Sequence, residues 1–216
     1  MLPRIVVDSS DAVTDLCMLG KLTGADKSPY NEVGHRHPYT AVYHMLLSPL
    51  RTKAIRFAEI GVAGGASAYV WDAYFPNGET QICLFDRDAN FLENCKGKMS
   101  PRARFGLMDV GVKGDIRRAL VAAAGDEAGN YDVIIDDSSH EFDHQINIAL
   151  EAFPLLKSGG MLIIEDIFRI TEERTYVEAL ESILPQCAAA YFVVCEHNLR
   201  WSPGWDNDKM LVLVKG

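Results

Sequence analysis

The sequence predicts an α/β fold: an open, doubly wound domain on a mostly parallel seven-stranded sheet, with a short N-terminal helical segment and an antiparallel C-terminal edge. Three observations carry this. Short runs rich in Val, Ile, Phe and Leu alternate along the chain with longer stretches of helical spacing. Those runs are near-continuously apolar rather than alternating, as strands buried on both faces require. The last two runs, 190–195 and 210–214, have no helical stretch between them, so they should pair antiparallel.

In chain order, residues 10–22 have helical spacing, and a polar loop follows over 23–37, broken by Gly24, Pro29 and Gly34. Residues 38–50 read as a second helix with Pro38 at its start. Strands are then expected at 55–61, 81–86, 104–109, 131–137 and 161–166. Helices are expected after each, at 66–75, 90–99, 113–124, 140–156 and 172–184. Residues 1–50 thus form N-terminal helices and a loop placed like a lid, carrying His35, His37 and Tyr39. Residues 51–216 form the sheet, and the whole makes one compact domain.

The 216 residues are 48% hydrophobic, spread along the whole chain, which argues against disorder. A net charge of −9 argues against nucleic acid and against an anionic membrane surface as partners. No run approaches the roughly 18 apolar residues of a membrane span. Residues 1–10 contain no apolar core followed by a cleavage site, so no secretory signal is expected. The five cysteines are scattered, odd in number and free of any C-x-x-C pair, as for reduced core residues of a cytoplasmic protein. The sequence is compatible with a homo-oligomer.

In such sheets ligands sit outside the carboxyl ends of the strands, at the topological switch point. The residues expected there are Glu59 and Gly61, Asp86, Asp109, Asp136 and Asp137, and Glu165 and Asp166. The first turn, Glu59-Ile60-Gly61-Val62-Ala63-Gly64-Gly65-Ala66-Ser67, lets backbone approach a ligand closely. It is not a dinucleotide fingerprint, because Ala63 stands where the second glycine of G-x-G-x-x-G belongs. Glu59 would also repel a pyrophosphate. It would suit an ammonium or a sulfonium, and S-adenosylmethionine carries both. Asp86 is then placed for ribose hydroxyls and Asp109 for the adenine side.

The fourth and fifth strands should be neighbours, bringing up to four carboxylates together. Their repulsion calls for protonation or a cation, and oxygen ligands suit Mg²⁺. Ser138-Ser139-His140-Glu141 also looks like a capping box, which would assign some of these residues to the next helix. His140, beside the acids, is placed to act as a general base. His140-Glu141-Phe142-Asp143-His144 fits the short H-E-x-x-H pattern of zinc proteases, but no extended third-ligand motif follows it.

The glycine loop followed by Asp86, Asp109 and Asp136 at successive strand ends resembles the class I S-adenosylmethionine-dependent methyltransferases, from about Ile55 to the C-terminus. Within them, Asp-Asp-Ser-Ser-His, Ile-Glu-Asp-Ile and the loop Gly24-Ala25-Asp26-Lys27-Ser28 are similar to one subgroup. These are the metal-dependent sugar O-methyltransferases of macrolide and tetracenomycin tailoring, which act on deoxysugars including rhamnose. Cephalosporin hydroxylase-like proteins share the pattern. Ser138 replaces a glycine common in the subgroup, and Ala25 a threonine. The resemblance implies that Asp137, Glu165 and Asp166 bind Mg²⁺ and that His140 is the base. It places Lys27 and Ser67 near the methionine end of the cofactor and Arg87 at the adenine. With Glu59, Gly61, Gly65, Asp86, Asp109 and Asp136 these complete the cofactor set. The acceptor it implies is a small-molecule or glycan sugar. A catechol-like diol, a zinc protease and a non-catalytic cofactor-binding module are the alternatives.

Overall fold

The computed structural model describes residues 2–125 and 130–216. Among them, eight strands and seven α-helices follow in order. They are β1 (Arg4–Asp8), α1 (Asp15–Thr23), α2 (Thr40–Leu47), β2 (Arg56–Ile60), α3 (Ala66–Tyr74), β3 (Gln81–Asp86), α4 (Ala89–Lys96), β4 (Ala103–Leu107), α5 (Asp115–Ala124), β5 (Tyr131–Asp136), α6 (Phe142–Ala152), β6 (Leu156–Ile167), α7 (Glu173–Ala179), β7 (Cys187–Glu196) and β8 (Lys209–Lys215). They form one sheet in the order β1-β7-β8-β6-β5-β2-β3-β4. Strand β8 runs antiparallel to both β6 and β7, and the other pairs are parallel.

The doubly wound α/β class is as expected, with one strand more than seven. The added strand is β1, which pairs with β7 from Arg4 opposite Phe192 to Asp8 opposite Glu196. It is short and largely exposed, so its own pattern is weak, and its partner strand holds it in place. The antiparallel pair β7–β8 forms, but β8 lies inside the sheet and β1 takes the edge.

Helix α6 also starts later than expected. His140 has a φ of 61°, in the left-handed region, and the extended Glu141 is the N-cap without a side-chain hydrogen bond. The capping box therefore does not form. Ser138 Oγ donates to Asp136 Oδ1 at 2.6 Å, and Ser139 Oγ pairs with His144 Nδ1 at 2.7 Å.

The near-continuous apolar runs are explained by two cores. Phe57, Val133, Ile135, Ile163 and Val212 pack under α1–α3 against Leu16, Tyr43 and Trp71. Their strand neighbours Ala58, Ile134, Leu162 and Ile164 pack on the other face against Leu120, Ile148 and Tyr176. Successive side chains alternate between faces, and both faces are covered.

From β2 the chain proceeds outward to β3 and β4, then returns to β5 on the other side of β2. The switch point therefore lies between β2 and β5, and a crevice opens at their carboxyl ends. There Gly61 N donates to Phe85 O and Asp137 N to Ile60 O, both at 2.8 Å. Gly61 has a φ of 94°, and a Cβ on it would lie 2.0 Å from the Asp137 carbonyl oxygen. Gly61→Ala should therefore destabilise the protein by more than about 2 kcal/mol in urea unfolding. Gly64 faces open space at an ordinary φ, so Gly64→Ala should stay within about 0.5 kcal/mol of the parent.

Candidate active site

The crevice at the switch point is lined by Gly61, Asp86, Arg87, Phe91, Met108 and Asp109, and continues to Asp137, Ser138, Ser139 and His144. Four of the residues expected to meet a cofactor lie here: Gly61, Asp86, Arg87 and Asp109. Asp86 Oδ2 accepts hydrogen bonds from Val62 N and Ala63 N at 3.0 Å, and Oδ1 accepts from Asp88 N at 2.9 Å. It clamps the glycine loop onto β3, and a carboxylate with about four lone-pair positions keeps one for a ligand. Asp109 Oδ1 takes Gly111 N at 2.9 Å. Phe91, Met108 and His144 are additions that the sequence pattern did not single out for this cavity. Phe91 and Met108 carry no chemistry-bearing signal, and His144 stood only within the H-E-x-x-H pattern.

The other five, Lys27, Glu59, Gly65, Ser67 and Asp136, do not line the cavity. Glu59 is wholly buried, accepting from Ser67 Oγ at 3.0 Å and Trp71 Nε1 at 2.9 Å. The reason is the pleat: Glu59 shares its side of β2 with Phe57, the side that α3 covers. The cation it faces is the chain's own Lys27, whose Nζ lies 3.8 Å away. Lys27 Nζ also donates to Glu165 Oε2 at 2.6 Å and to Asp137 Oδ2. Burial alone would lower its pKa, but Asp137, Glu165 and Glu59 outweigh that and hold it well above the usual lysine value. Gly65 caps α3 at a φ of 83°, where a Cβ would meet Cys95 Sγ at 2.5 Å. Asp136 accepts from Ser138 N and Oγ, and burial raises its pKa to about 6.

Of the acids expected to hold a metal, Asp137 and Asp166 come together with His140, one potential ligand atom from each lying within 4.8 Å of the others. Glu165 stands a layer behind. Both of its oxygens are engaged, one by Lys27 and the other by the Tyr43 hydroxyl. Its neighbour Asp166 sits at an irregularity of β6 between Ile164 and Ile167, with a φ of 56°. Such a break re-aims one side chain out of the alternation. Asp166 Oδ1 accepts from Tyr39 OH and Asn207 Nδ2, each at 2.8 Å. Its Oδ2 lies 3.5 Å from His140 Nδ1.

His37 supports this wall from behind, 2.8 Å from Asp208 Oδ1 and 3.8 Å from Asp166 Oδ1. His37 and Tyr39, expected on a covering loop, are thus buried members of the site wall. The donor set suits a hard divalent ion, since two carboxylates face forward and Lys27 neutralises only part of the acid cluster. The H-E-x-x-H pattern does not place two histidines on one helix, because His140 precedes α6 in a left-handed conformation. Tyr43, Asn207 and Asp208 carried no sequence signal for this site, as they arrive from elements remote in the chain.

Burial raises the Glu59 pKa to about 7, against the pull of Lys27. The folded state then holds this proton where the unfolded chain has lost it. Wild-type stability relative to Glu59→Gln should therefore fall as pH rises from about 4.5 to about 7, by about 3 kcal/mol. Parallel denaturant titrations of the two proteins across that range measure it.

Residues 58–167 match the methyltransferase domain family. L-olivosyl-oleandolide 3-O-methyltransferase of Streptomyces antibioticus is 32% identical over 142 residues, 62% of this chain and 34% of that protein. 8-Demethyl-8-alpha-L-rhamnosyl tetracenomycin-C 2'-O-methyltransferase of Streptomyces olivaceus is 30% identical over 139 residues, 61% of this chain and 33% of that protein. This chain spans about a third of the length of those two relatives. Among solved structures, the MycE methyltransferase of the mycinamycin biosynthetic pathway, in complex with Mg and SAH, superposes with a TM-score of 0.67 at 19% identity. That match covers 95% of this chain and 55% of the other. The Rossmann-like fold, the switch-point crevice beneath a glycine loop and the match over residues 58–167 agree: the chain belongs to the methyltransferase domain family.

Proposed function

We propose that the chain is an S-adenosylmethionine-dependent, Mg²⁺-dependent O-methyltransferase acting on a hydroxyl of a sugar, a deoxysugar such as rhamnose in a glycan or glycoside. The observation that carries this is that Asp137, which lines the cavity under the glycine loop, converges with His140 and Asp166. Two relatives named for O-methylation of sugar-bearing compounds support the substrate class, and the Mg and SAH bound to MycE support the ligands.

In this proposal Gly61, Asp86, Arg87 and Asp109 bind the cofactor, with the loop held by Asp86. Lys27, Glu59, Gly65, Ser67 and Asp136 support that surface from beneath. Asp137 and Asp166 hold the metal, and Glu165 sets Lys27 and Asp137 from behind. Bound S-adenosylmethionine would supply a sulfonium methyl, and a bound divalent ion would lower the pKa of the acceptor hydroxyl. His140 presents Nδ1 to Asp166, which leaves Nε2 to take the hydroxyl proton. Asp166 then stabilises the imidazolium, and its own orientation is held by Tyr39 and Asn207. Because these groups are positioned in advance, much of the rate should come from alignment.

Among the described residues no helix is long and apolar enough to cross a membrane. The free cysteines support our placing the enzyme in the cytoplasm, with a small-molecule or glycan sugar as its partner.

Chelation by EDTA should abolish turnover, Mg²⁺ should restore it, and calorimetry should still show S-adenosylmethionine binding. Full turnover in EDTA would remove the metal from the scheme. His140→Ala should lower kcat by about 10²- to 10⁴-fold with the cofactor Kd unchanged.

A further inference from the structure

Beside the candidate base lies an aromatic surface that the scheme above does not use. The Phe168 and Trp205 rings stack with centroids 5.6 Å apart and planes 23° from parallel. Trp205 in turn meets the His140 ring edge-on, with centroids 6.3 Å apart and planes 85° apart. Trp205 remains 45% exposed, so an indole next to the reacting groups is open to solvent.

Both halves of this pair are tied to Asp166. Phe168 follows Asp166 by two residues. Trp205 precedes by two residues Asn207, whose amide donates to Asp166. The two segments are fastened to each other by Arg169 N donating to Asp206 O at 2.7 Å. Lys209 Nζ, at the start of β8, adds a bond to Thr171 O at 2.6 Å. The shelf is therefore built at a set position relative to the candidate metal ligands and base.

We propose that the Phe168–Trp205 shelf is the acceptor subsite and that it takes the pyranose ring of a glycoside, with Trp205 as the specificity-determining residue. This rests on the sugar O-methyltransferase reading above. The shelf presents a part-exposed indole backed on one side by Phe168, and the polar group it meets, His140, is itself grouped with Asp137 and Asp166. A pyranose has that same two-sidedness. Its ring C–H groups form an apolar face that carries partial positive charge toward a π surface, and its hydroxyls point to the rim. Seated on Trp205, such a ring would direct rim hydroxyls toward His140. A planar catechol is apolar on both faces and is better held in a slot between two of them. The other tryptophan of this loop belongs elsewhere: Trp201 lies against Arg36 and His35, away from the His140 ring contact.

The test uses the whole protein with Mg²⁺ and S-adenosylmethionine, and methyl α-L-rhamnoside and caffeic acid as acceptors. Trp205→Ala should raise the KM for the rhamnoside by about tenfold, the loss of one stacked ring. Trp205→Phe should restore most of it, and Trp201→Ala should leave it unchanged. Cofactor affinity by calorimetry should be the same in all four proteins. Saturation-transfer NMR with S-adenosylhomocysteine present should show the rhamnoside ring protons saturated in the wild type and, at the same rhamnoside concentration, saturated more weakly in Trp205→Ala. Rhamnoside turnover with an unchanged KM in Trp205→Ala would overturn the shelf and leave the sugar reading standing. Cofactor binding with neither saturation nor methylation of the rhamnoside would overturn both. Trp205-dependent methylation of caffeic acid alone would overturn the choice of a sugar as the shelf's occupant.

Discussion

The site depends on one buried ammonium. Lys27, in the loop after α1, is set among carboxylates from three strands: Glu59 of β2, Asp137 just beyond β5 and Glu165 of β6. Without it those acids would face one another in a region sealed from water, where like charges repel strongly and none is solvated. With it the N-terminal segment acquires a fixed place on the sheet. Buried charge clusters of this kind add little net stability, because desolvation offsets attraction, but removing one partner leaves the others stranded. Their effect is to make one arrangement of the segment far better than its neighbours.

That arrangement sorts the acids into layers. Glu59 and Glu165 lie behind, their oxygens taken by Lys27, Ser67, Trp71 and Tyr43. Asp137 stands between the layers, bonded to Lys27 on one side and grouped with Asp166 and His140 on the other. Asp166 gives one oxygen to Tyr39 and Asn207 and keeps the other for the front. What each acid can offer a ligand is the share its structural partners leave. The aromatic shelf follows the same plan, since the bonds that aim Asp166 also anchor Trp205.

Local backbone strain is concentrated in the same place. Ala63 in the glycine loop, His140 and Asp166 all have positive φ without being glycine. Each such conformation costs on the order of 1 kcal/mol or more and persists only where surrounding bonds over-determine it. Here Asp86 holds the loop around Ala63, and Tyr39 with Asn207 holds Asp166. The strained turns point the groups forward before any ligand arrives, which lowers the reorganisation needed on binding.

The doubly wound α/β class, the glycine turn and the row of acids at the strand ends were legible in the sequence by itself. Each is written locally: strand runs by their apolar content, the turn by Gly61 and Gly65, the acids by their place after each run. Strand β1 was not legible, because five largely exposed residues become a strand only through β7, far along the chain. Nor was the direction in which each acid faces. Glu59 and Glu165 are aimed by the strand pleat toward a face that α2 and α3 cover, and both carboxyl groups meet Lys27, 138 residues from Glu165. Trp201 and Trp205 share one loop in sequence, yet the bridge between Arg36 and Trp201 and the stacking of Phe168 on Trp205 send them to different surroundings. Sequence settles what short-range pattern and turn chemistry can settle. Which carboxylate meets a ligand and which meets a lysine is a matter of long-range burial, and only the tertiary structure decides it.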